Sequence, residues 1–377
     1  MIRVRIKDLR GAVRLAVGGV HGVTHIAQGL HGSISRVAPP LGSKPPQPAG
    51  GIAGFVYGAV RATSSLVGTG LGAALAGAQA LLPATEQEDS AARDAWVSAL
   101  NGIVGDELER TANPLAIRMA LLPPTAAGPH LLLLVHGLCM NDRQWLREGH
   151  DHGAGLAASG YTPVYLRYNS GRHVSANGAE LAALLEERIA WSPVPVQSLT
   201  IIGHSMGGLV ARSAVHQAQV AGMAWTRVLR KMVFIGTPHH GAALERGGNW
   251  VHRALGLSPY LAPFTRLSGL RSDGITDLRH GNLLAADWAA NRFNQRDARV
   301  PVPLPRGVEC YAIASAADGL VSVDSALGRH ARTTRHLHLP RSQTWTARGV
   351  NHLDLLCNEA VYGRLRQWLT LPVVTPG

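Results

Sequence analysis

The 377 residues suffice for one large domain with an appendage and for a substantial buried core. Cys139, Cys310 and Cys357 are odd in number, far apart and without Cys-x-x-Cys spacing, which excludes a disulfide framework or a thiolate zinc site as the organising feature. The net charge is +12, and up to Pro83 Arg3, Arg5, Lys7, Arg10, Arg14, Arg36, Lys44 and Arg61 stand against Asp8 alone; with few aromatics and no nucleic-acid module, this predicts no nucleic-acid partner and a membrane or lipid-granule surface met through residues 1–84.

In chain order, the early charges interrupt any apolar core before it reaches signal-peptide length, and no convincing cleavage site follows. The expected location is therefore cytoplasmic, free or peripheral on a lipid-like surface. Leu9, Val13, Val17, Val20, Val23, Ile26, Leu30 and Ile34 recur every three or four residues and predict one helical face, weakened by Gly18, Gly19 and Gly22. His21 and His25 stand four apart but lack a third ligand, so they read as polar-face residues rather than a metal site. Residues 38–50 form a Pro-rich linker. Between Gly51 and Pro83 Arg61 is the sole charge, and the uncharged run from Ala62 is about 22 residues, the length at which a membrane span must be weighed. A packed helical hairpin, an amphipathic surface anchor and a true span stay open as readings. Glu86 to Arg110 is a charged helix pattern with Trp96, Leu100, Ile103, Val104 and Leu108 on one side, bridging to the next domain.

From Asn113 strand and helix patterns alternate, the sign of a mostly parallel sheet. This divides the chain into an extension over residues 1–112 and an α/β domain over 113–377. Leu115 to Leu122 is an early strand, and Leu131 to Val135 is an aliphatic run fit for a central one. Tyr161 to Tyr168 is the next strand and Ala176 to Trp191 a crossover helix. Leu199 to Gly203 then leads into Gly203-His204-Ser205-Met206-Gly207, followed by an Ala/Val-rich helix. A strand-to-helix turn this sharp strains the serine backbone and exposes its hydroxyl, while glycines relieve collisions across the turn. The helix amino terminus aims the Met206 N–H and the positive dipole end at the same point.

Val228 to Ile235 is a further strand, ending in Gly236-Thr-Pro-His-His-Gly241. Residues 242–303 then interrupt the rhythm with Trp250, Tyr260, Phe264, Trp288 and several leucines. They read either as a cap over an acyl pocket or as a helical excursion completing the core. Asp273 and Asp277 are too sparse for a calcium loop. Val308 to Ser315 is a strand delivering Asp318, with Asp324 as the alternative acid; Thr333 to Leu339 is strand-like; and His352 precedes a final amphipathic helix to Leu369. His330, His336 and His338 are alternative bases.

These motifs, in this order, resemble the α/β-hydrolase superfamily. The Thr237-Pro-His-His-Gly241 and Asn351-His-Leu-Asp354 stretches are similar to bacterial lipases and esterases of the inositol-deacylase-like branch. The resemblance covers about residues 113–377 and implies a mostly parallel sheet flanked by helices, a helical cap, and a Ser205–His352–Asp318 triad. His136-Gly137 would shape the loop whose Leu138 N–H joins that of Met206 in an oxyanion hole, with Gly203, His204 and Gly207 supporting the elbow. His239 and His240 precede any candidate acid, against the superfamily order of nucleophile, acid, base, and Cys139 lacks an elbow. The implied activity is hydrolysis of a lipid-like carboxylic ester without metal or cofactor. Thioesterase, acyltransferase and polyester depolymerase activities are alternatives on the same fold, and a catalytically silent scaffold working through its amino-terminal helices is one of another class. Oligomeric state is not legible.

Overall fold

Runs of Leu, Ile and Val bounded by glycine or proline become strands because β-branched and aliphatic side chains pack well on a pleated surface covered on both faces. The structure is a computed structural model, and it describes residues 8, 10–15, 17, 91–123, 125–242, 271–293 and 296–370. The expected linker at 38–50, the apolar segment at 51–83, most of the first helix with His21 and His25, and residues 243–270 of the expected cap lie outside the described residues. Among the described residues no helix is long and apolar enough to cross a membrane.

The contacts divide the chain into two units, one of residues 1–93 with 108–116, the other of 94–107 with 117–377. In the first, residues 8, 10–15 and 17 are helical. The buried Arg93 donates to the Asp8 carboxylate (2.7 Å from Nε), and Asn113 donates to the Gly11 carbonyl (2.9 Å). Helix α1, Ala91–Arg110, kinks at Val104, whose φ of −136° and ψ of 23° break the helical geometry.

The second unit holds a seven-stranded sheet. Its strands are β1 (Ala120–Leu122), β2 (His130–Val135), β3 (Thr162–Arg167), β4 (Ser198–His204), β5 (Leu229–Ile235), β6 (Glu309–Ser315) and β7 (Thr344–Ala347). The order is β1-β3-β2-β4-β5-β6-β7, parallel throughout except for the antiparallel β1 edge. Helices α2 (His152–Ala157), α3 (Val174–Ala190), α4 (Met206–Val220), α5 (Asp273–Asp277), α6 (Val323–Ala326) and α7 (Glu359–Trp368) are its α-helices among the described residues, with short 3-10 turns between them. Val135 pairs with Gly203, His204 with Ile235, Ile235 with Ile313 and Ser315 with Ala347. The carboxyl ends of five strands therefore lie level, and the loops after them open on one edge.

Both faces of the central strands are buried, so β2 and β4 show continuous aliphatic runs rather than alternation. On one face Leu132, Leu134, Ile202, Val233, Ile235 and Ile313 form a cluster with Leu355, Val361, Leu365 and Trp368 from α7 and the turn before it. Removing one such side chain, as in Leu134→Ala, removes about 2–5 kcal/mol of stability. Elsewhere α3 and α4 lie so close that a Cβ on Gly178 would sit 2.4 Å from Ser213 Oγ.

One expectation needs correction. Thr333 to Leu339 is not a strand; Thr333–Arg335 is a 3-10 turn, and the last strand is Thr344–Ala347. The Leu337 N–H donates to the Gly328 carbonyl (2.8 Å) and closes a local loop instead of joining a ladder. The early strand is also shorter than its pattern, since only Ala120–Leu122 pair with β3.

Candidate active site

Ser205 stands between β4 and α4 with φ 52° and ψ −128°, a left-handed conformation that a residue with a Cβ adopts only when its surroundings impose it. Those surroundings are glycines. A Cβ on Gly203 would fall 2.5 Å from Gly208 Cα, and one on Gly207 would fall 2.2 Å from the Val135 carbonyl oxygen. A Cβ on Gly137 would lie 2.9 Å from Ser205 Cβ, so the loop after β2 passes directly over the serine. The Ser205 N–H is tied to the Ile235 carbonyl at 2.8 Å.

Asp318 follows β6 and His352 follows β7. His352 Nδ1 and Asp318 Oδ2 are 2.7 Å apart, both residues buried. The other carboxylate oxygen, Oδ1, accepts the N–H groups of Leu320 (2.9 Å) and Val321 (2.7 Å), which fixes its orientation. Because a carboxylate accepts, the hydrogen sits on His352 Nδ1, leaving Nε2 to accept. The His204 ring lies 4.8 Å from the His352 ring, and its Nε2 donates to the His352 carbonyl at 3.1 Å. The residue adjoining Ser205 thus holds the histidine loop in place. A Cβ on Gly236, whose φ is +58°, would come within 3.1 Å of His352 Cε1. Burial, with repulsion from His352 next, pushes the pKa of His204 well below its ordinary value, so it serves as a neutral tether.

The loop after β2 is set by His136 together with Tyr168 and Ser170, two residues whose roles the sequence did not announce. Tyr168 Oη donates to the His136 carbonyl (2.7 Å) and stacks on its ring at 4.3 Å. His136 Nδ1 donates to the Gly137 carbonyl (2.8 Å), and burial lowers its pKa to about 4. Cys139, at φ 61°, donates its N–H to Ser170 Oγ (3.0 Å). Its thiol is buried, which pushes its pKa up to about 12 and keeps it protonated and unreactive. Leu138 and Met206 are both buried, and neither backbone N–H donates to an acceptor among the described residues. Ser315 Oγ donates to the Val350 carbonyl and accepts from Ala317 N–H (3.1 Å), linking the turn before Asp318 to the loop before His352.

The alternatives are separated from this cluster. Asp324 is 74 % exposed and pairs with Arg329 at 3.6 Å. His240 stacks edgewise with His330, and His336 lies beside His338, whereas the Asp318 carboxylate is engaged by His352. Among the described residues Glu148, Asp354 and Cys357 come together, but they are partly exposed and Asp354 is bound by Arg147 at 2.9 Å.

The mostly parallel sheet and its strand-to-helix elbow give the chain the α/β-hydrolase fold. Within it, residues 129–292 match the family model of the PGAP1-like alpha/beta domain. The mature lipase BlEst2 of Bacillus licheniformis is similar in structure, with 18% identity, 67% of this chain and 98% of that one covered, and a TM-score of 0.44. An esterase of Pyrococcus furiosus shows 14% identity over 67% of this chain and 85% of its own, with a TM-score of 0.42. YbtT, the type II thioesterase of a yersiniabactin pathway, shows 15% identity over 66% and 96%, with a TM-score of 0.42. Among curated proteins, none matches the sequence at a significant level.

Proposed function

We propose that the protein hydrolyses carboxylic esters through an acyl-enzyme on Ser205. The observation that carries this reading is the Asp318–His352 pair at 2.7 Å, whose His352 carbonyl accepts from His204, the residue next to the strained serine. Ser205 Oγ attacks the ester carbonyl carbon as its proton passes to His352 Nε2, and Asp318 accepts from Nδ1 and stabilises the charged ring. The carbonyl oxygen becomes an oxyanion facing the Met206 and Leu138 N–H groups. Collapse expels the alcohol, which takes the proton from His352. Water then loses a proton to His352, attacks the acyl carbon and releases the acid, returning the proton to Ser205.

Each group has a physical task. A lone serine hydroxyl is a poor nucleophile at neutral pH, and one oxyanion donor is worth about 100- to 1,000-fold in rate. Support for an apolar, lipid-like acyl group comes from the resemblance of Gly236–Gly241 and Asn351–Asp354 to bacterial lipase motifs and from the PGAP1-like match. The basic, apolar first 84 residues fit delivery of the enzyme to a lipid surface.

The test is hydrolysis of p-nitrophenyl esters from acetyl to palmitoyl by the wild type and Ser205→Ala, with fluorophosphonate labelling of both. Activity and labelling lost in Ser205→Ala, with an optimum at long acyl chains, support the proposal. Equal activity in the two proteins would overturn it, and a short-chain optimum would overturn the lipid-like substrate.

A further inference from the structure

The loop carrying Leu138 is seated on α1, a helix that precedes the residues matched by the family model. Residues 94–107 of α1 belong to the same unit as the sheet, and Gly102 and Gly105 stand three residues apart on it. Glycine is unfavourable inside a helix, and here each one lies where a loop touches the helix backbone. A Cβ on Gly102 would fall 2.3 Å from Cys139 Sγ and 2.8 Å from both Cys139 Cα and N. A Cβ on Gly105 would fall 1.9 Å from Asn169 Oδ1. The kink at Val104 lies between the two.

Hydrogen bonds fasten the same contacts. Asn169 Nδ2 donates to the Gly105 carbonyl (2.9 Å), and its Oδ1 accepts from Gly171 N–H (3.1 Å). Ser170, between them, accepts the Cys139 N–H. The Gly102 carbonyl accepts from Ser272 Oγ (2.6 Å), which pins the helix at the point of contact. Gly102, Cys139, Ser170 and Ser272 are all buried, so a shift of the helix passes to the loop instead of being taken up by solvent.

Leu138 therefore lies between two anchors. On one side Tyr168 Oη holds the His136 carbonyl at 2.7 Å; on the other Cys139, at φ 61°, rests on Gly102. We propose that α1 is part of the hydrolytic machinery, with Gly102 the positioning residue that fixes the Leu138 N–H toward the oxyanion. This rests on the hydrolase reading above. A methyl on Gly102 needs about 3.5 Å to its neighbours, so Cys139 would have to retreat by about 1 Å, and a misplacement of that size costs up to about 100-fold in rate.

The test compares full-length Gly102→Ala with Gly178→Ala, whose methyl would meet Ser213 Oγ at 2.4 Å between α3 and α4, away from the oxyanion loop. Melting, kinetics on p-nitrophenyl butyrate and affinity for a trifluoromethyl ketone are measured for each; the ketone's adduct with Ser205 places an oxyanion in the hole. Gly102→Ala should lose about 10- to 100-fold in kcat with KM within about threefold, and ketone affinity should fall in parallel. Gly178→Ala should melt lower by a similar amount yet keep kcat within about twofold. Adding Cys139→Ala to Gly102→Ala removes the sulfur from the path of the methyl and should restore kcat at least about threefold over Gly102→Ala alone. Should Gly102→Ala fail to fold, Cys139→Ala by itself unseats the loop from the other side and should lower kcat and ketone affinity together by about threefold. A kcat loss in Gly102→Ala no larger than in Gly178→Ala, or kcat falling with ketone affinity unchanged, would overturn the proposal. A wild type that neither hydrolyses the ester nor binds the ketone would overturn the hydrolase reading itself, and this proposal with it.

Discussion

Replacing Asp318 by asparagine tests the acid assignment through a single hydrogen. The two N–H groups of Leu320 and Val321 both point at Oδ1. Each such bond to a charged acceptor is worth about 1.5–3 kcal/mol, so an amide that turned its NH2 toward them would forfeit about 3–6 kcal/mol and set donors against donors. The introduced amide is therefore held with its oxygen at the Oδ1 position and its NH2 facing His352 Nδ1. The ring responds by accepting at Nδ1 and carrying its hydrogen on Nε2, where it can no longer take the serine proton. In serine proteases the equivalent change costs about 10⁴ in kcat, which at 1.36 kcal/mol per decade is about 5 kcal/mol. A kcat loss of about 10³- to 10⁴-fold is expected on p-nitrophenyl butyrate, with KM changed by no more than about threefold. Melting should hardly change, because the amide keeps both backbone bonds. A loss below tenfold, or an equal loss in Asp324→Asn, would refute the reasoning.

Gly207→Ala would drive a methyl to 2.2 Å from the Val135 carbonyl oxygen; a destabilisation of about 3 kcal/mol or more should lower the melting temperature by about 6–12 °C, and an unchanged melt would contradict the packing described. His136 and His152 have pKa values lowered to about 4 by burial, whereas their unfolded forms titrate near 6.5. The unfolded chain thus takes up protons that the native one refuses, so stability should fall on acidification from pH 6.5 toward 4 by about 1.4 kcal/mol per pH unit per histidine. His152→Gln should flatten this slope in urea titrations by one such increment, and an identical slope would count against the assignment. Ser170→Ala leaves the buried Cys139 N–H without its acceptor, a cost of about 1–3 kcal/mol to the order of the proposed oxyanion loop; fluorophosphonate labelling of Ser205 should slow about tenfold, and an unchanged rate would remove that loop from the proposed mechanism. Full-length protein should sediment with anionic vesicles, and changing Arg3, Arg5 and Lys7 to serine should weaken this by about 1 kcal/mol per charge; binding indifferent to those changes and to salt would refute an electrostatic anchor.

The central strands were legible because burial on both faces leaves uninterrupted aliphatic runs, as in Leu131–Val135 and Leu199–Ile202. The elbow was legible because three close approaches, two to backbone and one to the Thr237 side chain, demand glycine at Gly203, Gly207 and Gly208 within six residues. Strand β7 was not legible. It is four residues long and bonded on one side only, so Thr344–Ala347 carries too little alternation to distinguish it from Thr333–Leu339. The tether from His204 to the His352 carbonyl spans 148 residues, and no local pattern encodes a bond of that reach.

The three residues of the candidate triad come from the carboxyl ends of β4, β6 and β7, and the sheet order puts β6 and β7 last at one edge. A chain in which β2, β3, β4 and β5 have paired would already hold a strained serine, yet it would have neither an acid nor a base to use it. In the proposed triad, competence thus depends on the edge of the sheet, while the strain on the serine depends on its centre.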